Sequence, residues 1–427
     1  MTQLFHASRL FGAMTLAAGI DAGAFGPPGE RRVLLLTNNA DIPEIALGLD
    51  EAPGFAALRS RFDEVHSWNE IIAPFHPAEW KPRTIEVPVF GRLLLHRLGI
   101  DEITEVAIES VIVPPSRLLP GLFKDCGITV YSDGLMAHSP TRDVLPHEIS
   151  ARVTRLLHLG LVPDVAPLLL SEHGVPPQLI PATHFRQVVD ELSAAGLPQG
   201  GSPDGPVLIL GQYLSSLGIL SLDEEHQLHA GMLRAVAARG HHDVIFQPHP
   251  AARHSQGREL RPLAADLGLR LTFTPEGIPA ESLFATLSPA LVVSCFSTAL
   301  TTAKVFFDLP VATMGTEMLL ERLTPYENSN RIPVTIVDAT TPQLFPDGSL
   351  TDPPPVDLPG LINAVAYCMQ HTAHPELREP ARDYLAANGP ARYFKRRRLE
   401  TLDLVTTPAP PQSRSGLSRL RSLIPGR

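Results

Sequence analysis

Gly196-Leu-Pro-Gln-Gly-Gly-Ser-Pro-Asp-Gly-Pro206, followed at once by Val207-Leu-Ile-Leu210, is the stretch that divides this chain. Glycine and proline at such density continue neither a helix nor a central strand, and the apolar tetrapeptide behind them starts a new sheet. A chain of 427 residues also exceeds what one ordinary core holds. The segment therefore reads as a linker, 198–205, between an N-terminal unit, 1–197, and a C-terminal unit, 206–400, with a basic Pro- and Ser-rich tail at 401–427.

The same pattern recurs on both sides of the linker. Short apolar runs, at Thr2 to Ala7, Arg32 to Thr37, Glu105 to Glu109, Ile128 to Tyr131, Pro206 to Leu210, Asp243 to Phe246 and Ala290 to Ser294, are separated by helix-length segments. That alternation predicts parallel sheets with helical crossovers, an α/β class with two Rossmann-like domains facing each other across a cleft. Open sheets of this kind bind ligands outside the carboxyl ends of their strands, which places the active site between the units. Leu10 to Ile20 with Ala22-Gly23-Ala24 imitates a secretory signal. A strand over Thr2 to Ala7 followed by a buried helix to about Ala22 is the favoured reading, since α/β domains begin this way.

Composition removes several functions. A net charge of −10 gives the body no electrostatic reason to collect on nucleic acid. The 3 cysteines, Cys126, Cys295 and Cys368, form no CxxC pair, so neither a disulfide framework nor a zinc site is supported and a reducing, cytoplasmic setting is expected. His241-His242 adds no metal site, because adjacent strand residues point to opposite faces. His76, in Phe75-His76-Pro77, reads as a structural loop residue.

Three motifs follow strands. In Tyr131-Ser132-Asp133-Gly134 a carboxylate before a turn-forming glycine can take a proton from an acceptor hydroxyl, although Asp-Gly is also the commonest turn dipeptide. In Gln247-Pro248-His249-Pro250 two prolines restrict an imidazole that can donate to a leaving phosphate or simply bond a carbonyl. In Ser294-Cys295-Phe296-Ser297-Thr298 a strand gives way to a helix, and Ser297 and Thr298 serve equally as helix cap and as anion site. Glu281 lies between the last two motifs, Gln212 follows the first strand of the second unit, and Arg142 follows the Asp-Gly motif, where it meets an anionic acceptor, a sugar carboxylate or a structural ion-pair partner.

With Ile72-Ala-Pro-Phe-His-Pro77, Val130-Tyr-Ser-Asp-Gly-Leu-Met136, Ser139-Pro-Thr-Arg142 and Leu169-Leu-Ser-Glu172, these motifs resemble the actinobacterial branch of the alpha-2,8-polysialyltransferases, from Thr2 to about Arg396. The resemblance implies a GT-B fold, a CMP-activated sugar donor and inversion with no cofactor and no essential metal. It implies Asp133 as base and His249 at the departing phosphate; Gly134 and Arg142, from their places beside and after Asp133, are acceptor-side candidates. Ser297 and Thr298 would bind that phosphate and Glu281 the ribose; Gln212 by its place after a strand, and Gln247 and Pro250 beside His249, are further donor-site candidates. One departure is Ser132, where many relatives carry a second acidic residue, so acceptor positioning is expected to differ. A GT-B enzyme using another nucleotide sugar, and a catalytically inactive glycan-assembly or binding protein, stay open on the residues alone.

The tail adds a partner. Lys395 to Arg398, Arg414, Arg419 and Arg421, with Leu417, Leu420, Leu423 and Ile424 at helical spacing, read either as a solvated tail or as peripheral contact with an anionic membrane at the inner face of the plasma membrane, beside a lipid-linked glycan acceptor.

Overall fold

A computed structural model describes residues 1–40, 42–132, 134–194, 205–252 and 256–405. Most of the expected linker, and the tail from 406 onward, lie outside the described residues. The described residues form two seven-stranded sheets covered by helices, the α/β class that the apolar runs predict. The first contains β1 (Thr2–Ala7), β2 (Arg31–Leu36), β3 (Glu64–Ser67), β4 (Ile103–Ile108), β5 (Gly127–Ser132), β6 (Val153–His158) and β7 (Pro177–Leu179) in the order β3-β2-β1-β4-β5-β6-β7. The second contains β8 (Val207–Leu210), β9 (Asp243–Gln247), β10 (Arg270–Phe273), β11 (Leu291–Ser294), β12 (Val311–Thr313), β13 (Gln343–Leu344) and β14 (Leu350–Thr351) in the order β10-β9-β8-β11-β12-β13-β14. Every pairing is parallel except β13 with β14.

Central strands are apolar without alternation because helices cover both faces of a parallel sheet. Val207–Leu210 and Leu291–Ser294 are buried throughout. Thr2–Ala7 is equally buried, and Leu10–Asp21 behind it is a helix with most of its residues in the core. Among the described residues no helix is long and apolar enough to cross a membrane.

The two units share packing. Phe185, on the helix Ala182–Ala194 that ends the N-terminal half, is fully buried between Phe11 at 5.2 Å and Phe306 of the C-terminal half at 5.6 Å, measured between ring centroids. A second crossing comes from the helix Leu358–Gln370, where Gln370 Nε2 donates to the Arg142 carbonyl at 2.9 Å. Ser139 Oγ donates to the Ser329 carbonyl at 3.2 Å. These contacts join the two halves.

Because Phe185 belongs to both cores, Phe185→Ala should cost about 3–5 kcal/mol of stability and appear as one lowered melting transition in calorimetry. Two separated transitions in the variant, with one unmoved, would show that the halves hold their cores independently.

Candidate active site

Strand order reverses at β1/β4 in the first sheet and at β8/β11 in the second, and loops leaving neighbouring strands diverge at such points to open a crevice. The sequence places Ser8-Arg9 after β1, Glu109 after β4, Gly211-Gln212-Tyr213 after β8, His249 two residues beyond β9 and Ser297 three beyond β11. Asp133 lies outside the described residues, while Ser132 at the end of β5 and Gly134 flank it.

Gly134 was expected to permit a tight turn, and the structure gives a different reason for it. Its φ of −154° is extended backbone open to any residue. What glycine supplies is room: a β-carbon here would stand 2.8 Å from Thr298 Oγ1 and 3.3 Å from its Cγ2. The Asp-Gly motif of one half thus rests on the helix start of the other.

That helix, Thr298–Phe307, is capped by Ser297, whose Oγ accepts from the Ala299 N–H at 3.2 Å. Capping uses only an acceptor lone pair, so the Ser297 O–H still has a proton to donate. The cap and anion readings are therefore compatible, with further N–H groups at the helix start pointing the same way.

His249 is set by its own loop. The Ala251 N–H donates to Nδ1 at 3.0 Å, which assigns the ring proton to Nε2. Tyr213 lies over the ring at 4.1 Å between centroids, tilted by 36°. Burial, and then the nearby Arg9 charge, push the imidazole down to about 3. At neutral pH the ring is an uncharged donor through Nε2.

Gln212 joins the loops. Its Oε1 accepts from the Phe296 N–H at 3.0 Å, and its carbonyl accepts from Gln256 Nε2, whose Oε1 in turn accepts from the His249 N–H at 3.0 Å. Glu225 secures the same loop, accepting from the Leu214 N–H at 2.9 Å and from Ser215 Oγ at 2.5 Å. Gln247 Nε2 donates to the Ile278 carbonyl at 2.7 Å, pinning the loop before the helix Ala280–Leu287. On that helix Glu281 is buried, and its Oε1 accepts from Thr302 Oγ1 at 2.8 Å, one turn below Thr298. Pro250 is exposed beside His249.

Gln212, His249, Glu281, Ser297 and Thr298 are thus drawn together with Gly134. The Arg142 side chain is exposed, its carbonyl accepts from Gln370, and no acidic side chain among the described residues pairs with it. His76 bonds the Ala40 carbonyl at 3.0 Å and stays a loop residue. A cavity of roughly 340 Å³ adjoins the His249 loop, lined by Tyr213, Ser215, His226, Gln256 and Glu259 among others. Sequence reading missed Arg9, Tyr213 and Gln256. The first two carried a positional signal, since Arg9 lies just after β1 and Tyr213 just after β8, the strands that border the two crevices. Gln256 acts only through hydrogen bonds to backbone, which no local pattern announces.

Comparison with known proteins gives one family match, to the alpha-2,8-polysialyltransferase (POLYST) family over residues 3–316, short of the Arg396 limit expected from the motifs. No curated protein matches. Among solved structures, a sialyltransferase from Photobacterium damsela is similar at 13% identity and TM-score 0.40, over 79% of this chain and 78% of that one. A glycosyltransferase from Rickettsia africae is similar at 10% identity and TM-score 0.39 over 94% and 97%. A UDP-GlcNAc 2-epimerase from Methanocaldococcus jannaschii is similar at 11% identity and TM-score 0.44 over 81% and 88%. At these TM-scores the likenesses decide nothing about activity.

Gly134→Ala should displace the Asp-Gly loop from Thr298 and lower turnover at least tenfold, roughly the loss that ångström-scale misplacement of a reacting group brings, while the melting temperature changes little. In a Thr298→Ala background, which removes both clashing atoms, adding Gly134→Ala should cost little further turnover, and a full tenfold loss relative to Thr298→Ala alone would mean that the close approach is not what limits activity.

Proposed function

The chain belongs to the alpha-2,8-polysialyltransferase family of glycosyltransferases, and on that premise we propose that it moves a sialic-acid-like sugar, with inversion and without a metal or other cofactor, from a CMP-activated donor to a glycan or lipid-linked glycan acceptor. The observation that carries this reading is the contact of Gly134 with Thr298, which sets the base-bearing loop of one half against the anion-binding helix start of the other. A base facing an anion site is what displacement at an anomeric carbon requires.

In this reading the acceptor hydroxyl oxygen attacks the anomeric carbon while the bond from that carbon to the CMP phosphate oxygen breaks. Asp133 takes the acceptor's proton, and the bonding electrons leave with the phosphate. His249 donates its Nε2–H to the departing oxygen. Low basicity keeps the ring neutral, and it stabilises the developing negative charge on the departing phosphate by hydrogen bonding through Nε2–H without giving up the proton. Ser297 and Thr298 add hydroxyl donors and the helix start adds N–H groups. Arg9, whose charge bears on His249, supplies a cation on the opposite wall for the phosphate or the sugar carboxylate.

Glu281 is assigned to the ribose. A carboxylate has about four lone-pair sites, so its bond with Thr302 is compatible with that role. Gln212 and Gln247 shape the donor site through the loops they tie, Pro250 borders it, and Arg142 is left to the acceptor side. A cytoplasmic setting, close to a lipid-linked acceptor, suits a reaction that consumes CMP-activated sugar.

Asp133→Asn should lower turnover by about 10²–10⁴-fold with donor binding intact, because the base serves only the acceptor; normal turnover in this variant removes the assignment. His249→Ala loses a hydrogen bond to a charged group and should weaken CMP binding about 10- to 100-fold. Thermal-shift and calorimetric titration with CMP, UMP, GDP and AMP, without added metal, checks the donor class. Stabilisation by CMP alone is expected, and a preference for UMP or GDP sinks the donor assignment.

A further inference from the structure

The helix Val87–Arg97 is apolar on two opposite sides. Its inner side runs through Gly91 and Leu94 to Leu98, all buried, and packs so closely that a β-carbon at Gly91 would stand 2.6 Å from the Leu122 carbonyl oxygen. At about 100° per residue the direction opposite this seam belongs to Val89 and Leu93, with His96 on the same line at the end of the helix. These two are 58% and 57% exposed, Ile85 in the turn before them is 81% exposed and Phe90 is 36% exposed. A helix with water on one side normally carries polar residues along that crest. This one carries the branched aliphatic side chains of Val89 and Leu93 there and a polar residue, His96, only in its last turn.

Charge says what covers them. Arg92 and Arg97 flank the crest, His96 ends it, Lys81 and Arg83 precede it, and all are exposed. Within Val87–Arg97 there is no acidic residue, although the chain as a whole has a net charge of −10. The nearest acids in sequence are Glu86, which is tied to Arg83, and Asp101 and Glu102 beyond the helix. A second copy of the chain is a poor occupant, because pairing two such faces opposes arginine to arginine. An anionic surface with an apolar interior complements both features.

The placement is also directional. The helix forms part of the crossover from β3 to β4, so its N-terminal end, at Ile85, lies on the carboxyl-end side of the sheet, where the crevice opens. Exposed Ile45 lies on the loop leaving β2, and exposed Phe75, after the short helix Trp68–Ile72 that follows β3, is kept near that loop by the bond of His76 to the Ala40 carbonyl. We propose that the outer face of the Val87–Arg97 helix is a docking surface for an anionic lipid bilayer. Ile85, Val89 and Leu93 enter the boundary between headgroups and acyl chains, and Arg92, Arg97 and Lys81 meet lipid phosphates. The surface turns the crevice towards an acceptor held in the membrane, and its existence does not depend on which nucleotide sugar the enzyme uses.

The test is cosedimentation of the full-length protein with phosphatidylcholine vesicles and with vesicles that also contain phosphatidylglycerol. The wild type should bind the anionic vesicles preferentially, and added salt should weaken binding. Val89→Glu with Leu93→Glu should lose about tenfold or more in bound fraction, and Arg92→Glu with Arg97→Glu should lose the anionic preference to a similar extent, given about 1 kcal/mol per basic residue near such a surface. Both variants change exposed residues, so an unchanged melting temperature and unchanged transfer to a soluble acceptor show that the loss is at the surface. Three results overturn the proposal: no vesicle binding by the wild type, full binding by the Val89→Glu and Leu93→Glu variant, or a wild-type dimer that this variant dissociates while vesicle binding is unaffected.

Discussion

The missing β-carbon of Gly134 is the constraint on which the rest of the site depends. Two sheets on separate stretches of chain can form one site only if the loops at their carboxyl ends approach to contact, and at this point the contact leaves no space for even a methyl group. The other devices preserve that approach. Ser297 caps its helix so that Thr298 stands at a fixed height, Glu281 braces the same helix through Thr302, and Gln212 with Gln256 ties the β8, β9 and β11 loops into one wall. Most of the polar side chains around the crevice are thus spent on backbone or on one another, which is how a site is held ready before substrate arrives.

His249 illustrates how local chemistry and long-range placement combine. Its loop supplies the Ala251 N–H that consumes Nδ1, a strictly local feature of the His-Pro-Ala turn. Its basicity depends on burial and on Arg9, which lies in the other half of the chain. The same imidazole in an isolated domain would keep its orientation and lose part of its electrostatic setting.

The alternation of apolar runs and helix-length segments made both sheets legible, because central parallel strands are buried on both faces and show as continuous hydrophobic stretches. β1, β5, β8, β9 and β11 were visible for this reason. Edge strands were not: Glu64–Ser67 is only half-buried, and Pro177–Leu179 is exposed at all three positions, so neither needs an apolar signature. The motifs after β5, β9 and β11 were readable as types of residue, and the family resemblance rested on them. Their contacts were not readable. Gly134 looked like a turn residue, and nothing near it in sequence reveals Thr298 as its neighbour, since that contact exists only once the two halves meet. The basic, apolar-crested helix escaped notice for a related reason. Val87-Pro-Val-Phe-Gly-Arg-Leu-Leu-Leu-His-Arg97 has enough apolar residues for a buried helix, and only the position of Gly91 against Leu122 tells which of them face inward.

The aromatic column Phe11, Phe185 and Phe306 has a consequence for how the molecule moves. A cleft enzyme whose lobes touched only through a flexible strand could swing open about a hinge and leave each lobe's interior undisturbed. Here the column passes through the joint, and swinging would expose a ring that has no water-facing side. Rearrangement that keeps Phe185 covered is of the shear kind, in which the helix Ala182–Ala194 slides by small steps between neighbours that keep their grip on the ring. Such a joint trades amplitude for registry, and the crevice changes width without losing the alignment of its two walls.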